Sequence, residues 1–180
     1  MERLSIIENV PLAPFTTLKV GGSARYFIEA KTEEDVCNAV KLAAELDVEV
    51  FVLGGGSNVL ISDNGFDGVV IHIAIYGVEF TPTTNGKVLV SAGAGVVWDD
   101  LVAECVGRKL AGFECLSGIP GFVGGTPIQN VGAYGQDVSE TIISVRCLDR
   151  RSGEFIELSN AECEFEYRKS RFNSRDISRF

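Results

Sequence analysis

Two glycine-rich runs and one cationic cluster are the stretches of this 180-residue sequence whose residue types and spacing could do chemistry. The first is Leu53-Gly54-Gly55-Gly56-Ser57-Asn58, where an apolar run ends in three glycines and two short polar side chains. Successive glycines let backbone N–H groups crowd around an anion, because no Cβ blocks the approach and positive φ is free. That is the chemistry of a diphosphate cradle; the alternative is a tight turn with no ligand. Val59 stands where a dinucleotide fingerprint needs its third glycine, and no Gly-Lys-Ser/Thr follows, so neither a Rossmann fold nor a P-loop is expected.

The second run is Ser117-Gly118-Ile119-Pro120-Gly121, then Gly124-Gly125-Thr126-Pro127-Ile128-Gln129-Asn130, then Gly132-Ala133-Tyr134-Gly135. Six glycines keep backbone amides accessible, while Ile119, Ile128 and Val131 offer apolar walls to a flat ring system. Gln129, Asn130 and Tyr134 could fix the edges of that ring. A solvated Ω-loop is the competing reading, although such loops do not need this many apolar residues beside glycines. The cationic cluster is Tyr167-Arg168-Lys169-Ser170-Arg171, which by residue type alone reads as a solvated face at a helix end.

Other candidates read as structural. His72, the sole histidine, lies in GVVIHIAIY on the face of Val70, Ala74 and Tyr76, opposite Val69, Ile71, Ile73 and Ile75, and is expected on a strand surface. Asp99 and Asp100 suit the positive end of a helix dipole. Five cysteines, widely spaced and without a CxxC pair, argue against a zinc site or a disulfide framework and for buried reduced thiols.

The elements that must position these runs follow from periodicity. ARYFIEA after Ser23 reads as a strand, and Thr32 with Asp35 forms a capping-box-like pair for a helix in which Val36, Ala39, Val40 and Ala43 repeat at helical spacing. EVFVL and GVVIHIAI, at 49–53 and 68–75, are strands on either side of the first glycine run, so a βαβ unit is expected. Asn85-Gly86 between two strand-like runs marks a hairpin. Trp98, Leu101, Val102, Cys105 and Val106 form the stripe of an amphipathic helix, with Trp98 a core anchor. TIISVRCLD and EFIEL around Ser152-Gly153 make another hairpin, and Ser159 with Glu162 caps a short helix. The class is α+β, with subdomains at 1–75 and 76–180.

A net charge of −9 from scattered acidic residues, with no basic run, excludes nucleic acid as an expected partner. The longest apolar run, Val69 to Ile75, is broken by His72 and is short of the roughly 20 residues of a membrane span. MERLSIIENV lacks the pattern of a secretory signal, so a cytoplasmic location is expected.

The blocks PFTTLKVGGSARYF, LGGGSNVLISD, SGIPGFVGGTPIQNVGAYGQDV and EFEYRKSRF, in this order and spacing, resemble the UDP-N-acetylenolpyruvoylglucosamine reductase family from about Asn9 to Phe180. The resemblance implies an FAD domain of the vanillyl-alcohol-oxidase type, built of two α+β subdomains with the isoalloxazine between them. It also implies non-covalent FAD, NADPH as reductant, and reduction of UDP-N-acetylglucosamine enolpyruvate to UDP-N-acetylmuramate for peptidoglycan synthesis. Leu53, Gly54, Gly55, Gly56, Ser57 and Asn58 are then expected to hold the diphosphate. Ile119, Pro120, Gly124, Gly125, Thr126, Asn130 and Gly132 are expected to wrap the flavin, and Tyr134 and Arg168 to meet substrate. Arg168 takes the catalytic role of the family's YRxSxF block. The serine that donates the final proton and a glutamate that shares in stabilising the intermediate lie, in that family, in blocks with no counterpart in these residues, so no turnover is expected from them alone. Another FAD-linked oxidase, or a stand-alone flavin-binding module, remains the alternative.

Overall fold

At Thr32 the reason for the first helix is local: its hydroxyl accepts the Asp35 N–H at 3.1 Å while the Asp35 carboxylate accepts the Thr32 N–H at 2.9 Å. Two N-terminal donors are thereby satisfied, and Glu33, Glu34 and Asp35 complement the dipole. The computed structural model describes residues 4–180. It divides into two compact units, one ending at Tyr76 and one beginning at Gly77. Among the described residues no helix is long and apolar enough to cross a membrane.

The first unit contains β1 (Ile7–Pro11), β2 (Ser23–Ala30), α1 (Glu33–Glu45), β3 (Glu49–Leu53) and β4 (Phe66–Ile73), with the sheet in the order β1-β2-β4-β3. Here β1 pairs antiparallel with β2, whereas β4 runs parallel to both β2 and β3. The expected βαβ unit is therefore opened by one strand, β4, lying between β2 and β3. Its sequence explains the central place. Val69 and Ile71 pack on one face with Ile28, Ala39 and Ala43, and Val70 packs on the other with Leu12, Phe27 and Leu53. A strand apolar on both faces belongs in the middle of a sheet covered on both sides. This also corrects the expectation for His72, which is not on an open surface. Its ring lies 5.2 Å from that of Phe15 and 5.9 Å from that of Phe27, and burial pushes its pKa down.

The second unit contains β5 (Val78–Pro82), β6 (Val88–Ala92), α2 (Trp98–Gly107), β7 (Gly132–Ala133), β8 (Gln136–Asp137), β9 (Ser144–Asp149) and β10 (Glu154–Ser159), paired as three two-stranded sheets. Asn85-Gly86 does sit in the β5–β6 hairpin, but in a three-residue loop closed by the Thr83 N–H to Lys87 O bond of 2.8 Å, with Gly86 left-handed at φ +70°. Helix α2 buries Trp98, Leu101, Val102 and Cys105 against Leu116, Val131 and Val138. Val106 is 52% exposed, narrower than the expected stripe, because eight residues along a helix is about 80° around it from the first. Ser159 and Glu162 make the expected reciprocal bonds, yet they cap a single 3-10 turn, Ala161–Cys163, and not a helix. The end of the chain is fastened by two ion pairs, the largely buried Arg171 to Asp176 and the half-buried Arg179 to Asp149, each at 2.7 Å.

All five cysteines are reduced thiols: Cys105 and Cys163 are buried, Cys37 and Cys147 half-buried, and Cys115 exposed, so the expectation of burial fails for Cys115. Burial pushes the thiols of Cys147 and Cys163 up to about 11, which leaves them protonated and inert at neutral pH.

Candidate functional site

The first glycine run follows directly from β3. Leu53 is 1% exposed and belongs to the core with Phe27 and Val70, so it anchors the run by its side chain and could meet a ligand only through its backbone. Gly54, Gly55 and Ser57 are half-buried, and Asn58 is exposed. Gly56 is different. It is left-handed at φ +64°, and a Cβ there would collide with the Phe15 carbonyl oxygen and lie 2.8 Å from Thr16 Cα. Its own carbonyl accepts the Thr17 N–H at 3.0 Å. Downstream, the Gly22 N–H donates to Ser62 O at 2.9 Å, and a Cβ on Gly22 would reach within 2.4 Å of the Gly65 nitrogen. Segments 13–23 and 54–65 therefore lie backbone against backbone. Gly22 and Gly65 were not singled out from the sequence, although the Gly21-Gly22 pair in KVGG was the signal for such an approach.

In the second unit the glycine-rich run is fastened to the start of α2. Trp98 Nε1 donates to Leu116 O at 2.9 Å, and the Trp98 N–H donates to Gly121 O at 3.0 Å. Val123 and Gly124 donate their N–H groups to Val96 O and Ala94 O, both at 2.9 Å. Asp99 accepts from the Gly118 N–H at 2.6 Å and from the Ser117 hydroxyl at 2.9 Å. These two bonds, the backbone one foremost, hold its carboxyl below the usual carboxylate range. Asp99 is thus more than a dipole partner of α2: it fixes the entry to Ile119 and Pro120.

The glycines of this run have different reasons. A Cβ on Gly124 would lie 2.7 Å from that of Ala94, and one on the buried Gly132 would strike the Asp137 carboxylate, so both are required by the protein's own packing. Gly118 is left-handed at φ +77°. Gly125 is exposed, its φ lies outside the left-handed range, and a Cβ there would meet nothing within 4 Å. Neither conformation nor packing asks for glycine at 125. The open space there leaves room for a flat group, and the half-buried Ile119 and the Ile128 side chain, 46% exposed, supply apolar surface in the same loop. The residues present fit such a ring. Thr126 is buried, with its hydroxyl bonded to Val123 O at 2.9 Å, and Pro120 is exposed.

The cationic cluster is not a helix end. Glu166 and Lys169 exchange backbone hydrogen bonds of 2.9 and 3.1 Å, making a two-residue turn of Tyr167 and Arg168. The three cations part company: Lys169 pairs with the Glu166 carboxylate, Arg171 is buried with Asp176, and Arg168 is exposed in the left-handed region at φ +53°. An arginine there costs roughly 1–2 kcal/mol over a right-handed conformer. Tyr134 has the same property at φ +51°; with Gly135 at +82° it forms the two-residue turn between β7 and β8, a shape that favours asparagine or glycine, and its ring is 92% exposed. Non-glycine residues held left-handed cluster at functional sites, where the surrounding structure imposes them.

The two regions are joined by side chains within the second unit. Asn130 is 2% exposed and left-handed at φ +44°; its Nδ2 donates to Glu166 O at 3.0 Å and its Oδ1 accepts the Ser139 N–H at 3.1 Å. Ser170, fully buried, donates its hydroxyl to Ile128 O at 2.6 Å. The Asn130 side chain thus faces the protein interior. Ser170 was read only as part of the cationic cluster, although its spacing to Asn173 is that of a capping box, and the two do cap the turn at Arg171–Asn173.

Residues 24–159 match the FAD binding domain family. The chain is 48% identical over 174 residues to the UDP-N-acetylenolpyruvoylglucosamine reductase of Streptomyces coelicolor, covering 97% of this chain and 44% of the relative. It is 46% identical over 177 residues to that of Mycobacterium avium, covering 95% and 46%. It spans less than half the length of the curated relatives it matches. Among solved structures, the UDP-N-acetylenolpyruvylglucosamine reductase of Thermus caldophilus superposes with a TM-score of 0.71 at 30% identity, covering 93% of this chain and 56% of that one. The 6-hydroxy-D-nicotine oxidase of Arthrobacter nicotinovorans shares the fold, with a TM-score of 0.64 at 22% identity over 89% of this chain and 36% of that one. With that agreement of sequence and fold, the chain belongs to the FAD binding domain family, in the form found in UDP-N-acetylenolpyruvoylglucosamine reductases.

Proposed function

We propose that this chain is the FAD-carrying part of a reductase that converts UDP-N-acetylglucosamine enolpyruvate to UDP-N-acetylmuramate with NADPH, a cytoplasmic step of peptidoglycan synthesis. The observation that carries this reading is the turn at Tyr167-Arg168, which presents a left-handed, exposed arginine and is hydrogen-bonded to the glycine-rich loop through Asn130 and Ser170. Bound FAD supplies the transfer of two electrons from NADPH to the enolpyruvyl double bond. Gly54 to Gly56 with Ser57 and Asn58 hold its diphosphate by backbone amides and short polar groups, without a covalent link. The loop from Ile119 to Gly132 receives the ring, with Gly125 leaving the space.

Arg168 acts on the substrate. Hydride addition at the β-carbon leaves negative charge on the carboxylate side, and a permanently charged, planar guanidinium with a fork of donors stabilises it. Tyr134 meets the substrate beside it. Protonation at the α-carbon then needs a positioned acid. Ser170 is a poor candidate, since its buried hydroxyl proton is engaged by Ile128 O. The acid belongs to the part of the enzyme that holds the sugar nucleotide, and these 180 residues by themselves do not reduce the enolpyruvyl substrate.

Two experiments test the reading. Acid precipitation of the purified yellow protein should release all flavin as FAD into the supernatant; flavin that stays with the pellet, or a failure to bind added FAD, sinks it. In the complete reductase, Arg168→Lys should keep FAD yet slow reoxidation of reduced enzyme by the enolpyruvyl sugar nucleotide roughly tenfold to a thousandfold. A wild-type rate in stopped flow removes Arg168 from the mechanism.

A further inference from the structure

The geometry points to Asn130 and Ser170 as positioning residues that clamp the Arg168 turn onto the glycine-rich loop, so that the loop and the guanidinium keep one fixed spacing. This rests on the role given to Arg168 above. The turn is held on both flanks. On the side before Tyr167, the Glu166 carbonyl accepts from Asn130 Nδ2 at 3.0 Å; on the side after Lys169, the Ser170 hydroxyl donates to Ile128 O at 2.6 Å. Both tethering side chains, Asn130 and Ser170, are buried, and both bonds involve the same short segment of loop, residues 128–130, which lies 36 and 42 residues away along the chain. Asn130 is itself left-handed, a conformation asparagine tolerates better than most residues, and its amide is used at both ends.

An arginine held left-handed is strained, and the chain gains by relaxing toward a right-handed conformer. Two tethers to a distant loop, made by the buried side chains of Asn130 and Ser170, oppose that relaxation. Their consequence is catalytic and not adhesive. Misplacing a charge-stabilising group by about 1 Å costs rate on the order of a hundredfold without weakening the binding of groups held elsewhere. Asn130 and Ser170 touch neither substrate nor the reacting atoms in this account and act through Arg168.

Asn130→Asp is the informative variant. It preserves shape, tolerance of the left-handed conformation and the acceptor for the Ser139 N–H, but sets an acceptor against the Glu166 carbonyl. In the complete reductase, it and Ser170→Ala should each lower kcat by about tenfold or more, with KM and FAD affinity changed by less than about threefold. In an Arg168→Ala background the same substitutions should lower kcat by less than about twofold further, because a clamp has nothing left to position. Undiminished losses in that background overturn the clamp, as do losses that appear in FAD affinity alone.

A second measurement needs no turnover. In the 180-residue chain, exchange of the Lys169 amide, bonded to Glu166 O at 3.1 Å, should quicken at least about tenfold in both variants while amides of β9 and β10 keep their protection. Unchanged Lys169 exchange in both overturns the proposal. If Arg168→Ala itself turns over at the wild-type rate, the role of Arg168 fails, and the exchange result still decides whether the turn is clamped.

Discussion

The two glycine-rich loops contain the same residue type for opposite reasons. In and beside the first loop, Gly22, Gly56 and Gly65 serve packing: they let segments 13–23 and 54–65 lie backbone against backbone, with no room for a single Cβ. In 117–135 the pattern is mixed. Gly124 and Gly132 are needed for packing, whereas Gly125 faces open space and nearby tyrosine, asparagine and arginine are forced into conformations that glycine would adopt freely. Close packing, not the absence of a side chain, separates a glycine that builds a scaffold from one that leaves room for a ligand.

The largest effect is expected where packing is tightest. Gly56→Val should destabilise the chain by roughly 3–5 kcal/mol, from overpacking against Phe15 and a left-handed β-branched residue. Thermal unfolding of the chain measures it; normal stability with loss of FAD alone would show that Gly56 is needed for the ligand and not for packing. Gly125→Leu should do the reverse. Its steric block should weaken FAD about tenfold to a hundredfold, while the melting temperature without FAD shifts by no more than roughly 2 °C. Calorimetric titration with unchanged affinity would show that the ring lies away from Gly125.

Arg168→Gly probes the strain directly. It should raise stability by up to about 1 kcal/mol, since glycine removes the left-handed penalty and gives back part of that gain in unfolded-state entropy. Reduction of the enolpyruvyl substrate should be lost with it. A fall in stability would mean that the arginine side chain holds the turn, and that the clamp from the loop does not.

The smallest effect concerns the anchor of the second loop. The folded-state pKa of Asp99 is depressed by the Gly118 N–H and the Ser117 hydroxyl. Its contribution to stability is therefore present above the unfolded value of about 3.9 and is lost as pH falls through the folded value. The stability gap between the wild type and Asp99→Asn should be open at neutral pH and close in strong acid, small throughout because the carboxylate is exposed. A gap independent of pH would show that the charge on Asp99 does not hold Gly118.

Local signals were legible wherever neighbours in sequence decide the outcome. The Thr32–Asp35 box, the run of Glu49–Leu53 into glycines, the Trp98 stripe and the Ser144–Ser159 hairpin all rest on contacts within a few residues or one turn of chain. Where the reading missed, a partner distant in sequence was responsible. His72 looked like a surface residue because Phe15 and Phe27, which cover it, come from another strand and a preceding loop. β4 entered between β2 and β3 because both its faces are buried, which alternation along one strand does not reveal. YRKSR looked like a helix end because the tethers that bend it into a turn come from Asn130 and Ile128.

The amino-acid sequence by itself determined the α+β class, the two glycine-rich loops and the arginine that accompanies them, since these follow from residue types, periodicity and the order of the blocks. Only the tertiary structure decided what several of the glycines are for, that Arg171 of YRKSR is buried while Arg168 stays exposed, and that Asn130 turns inward to hold Glu166. Those outcomes depend on which backbone atoms meet across 36 or more residues of chain, and a steric or hydrogen-bond contact of that kind exists only once the chain has folded.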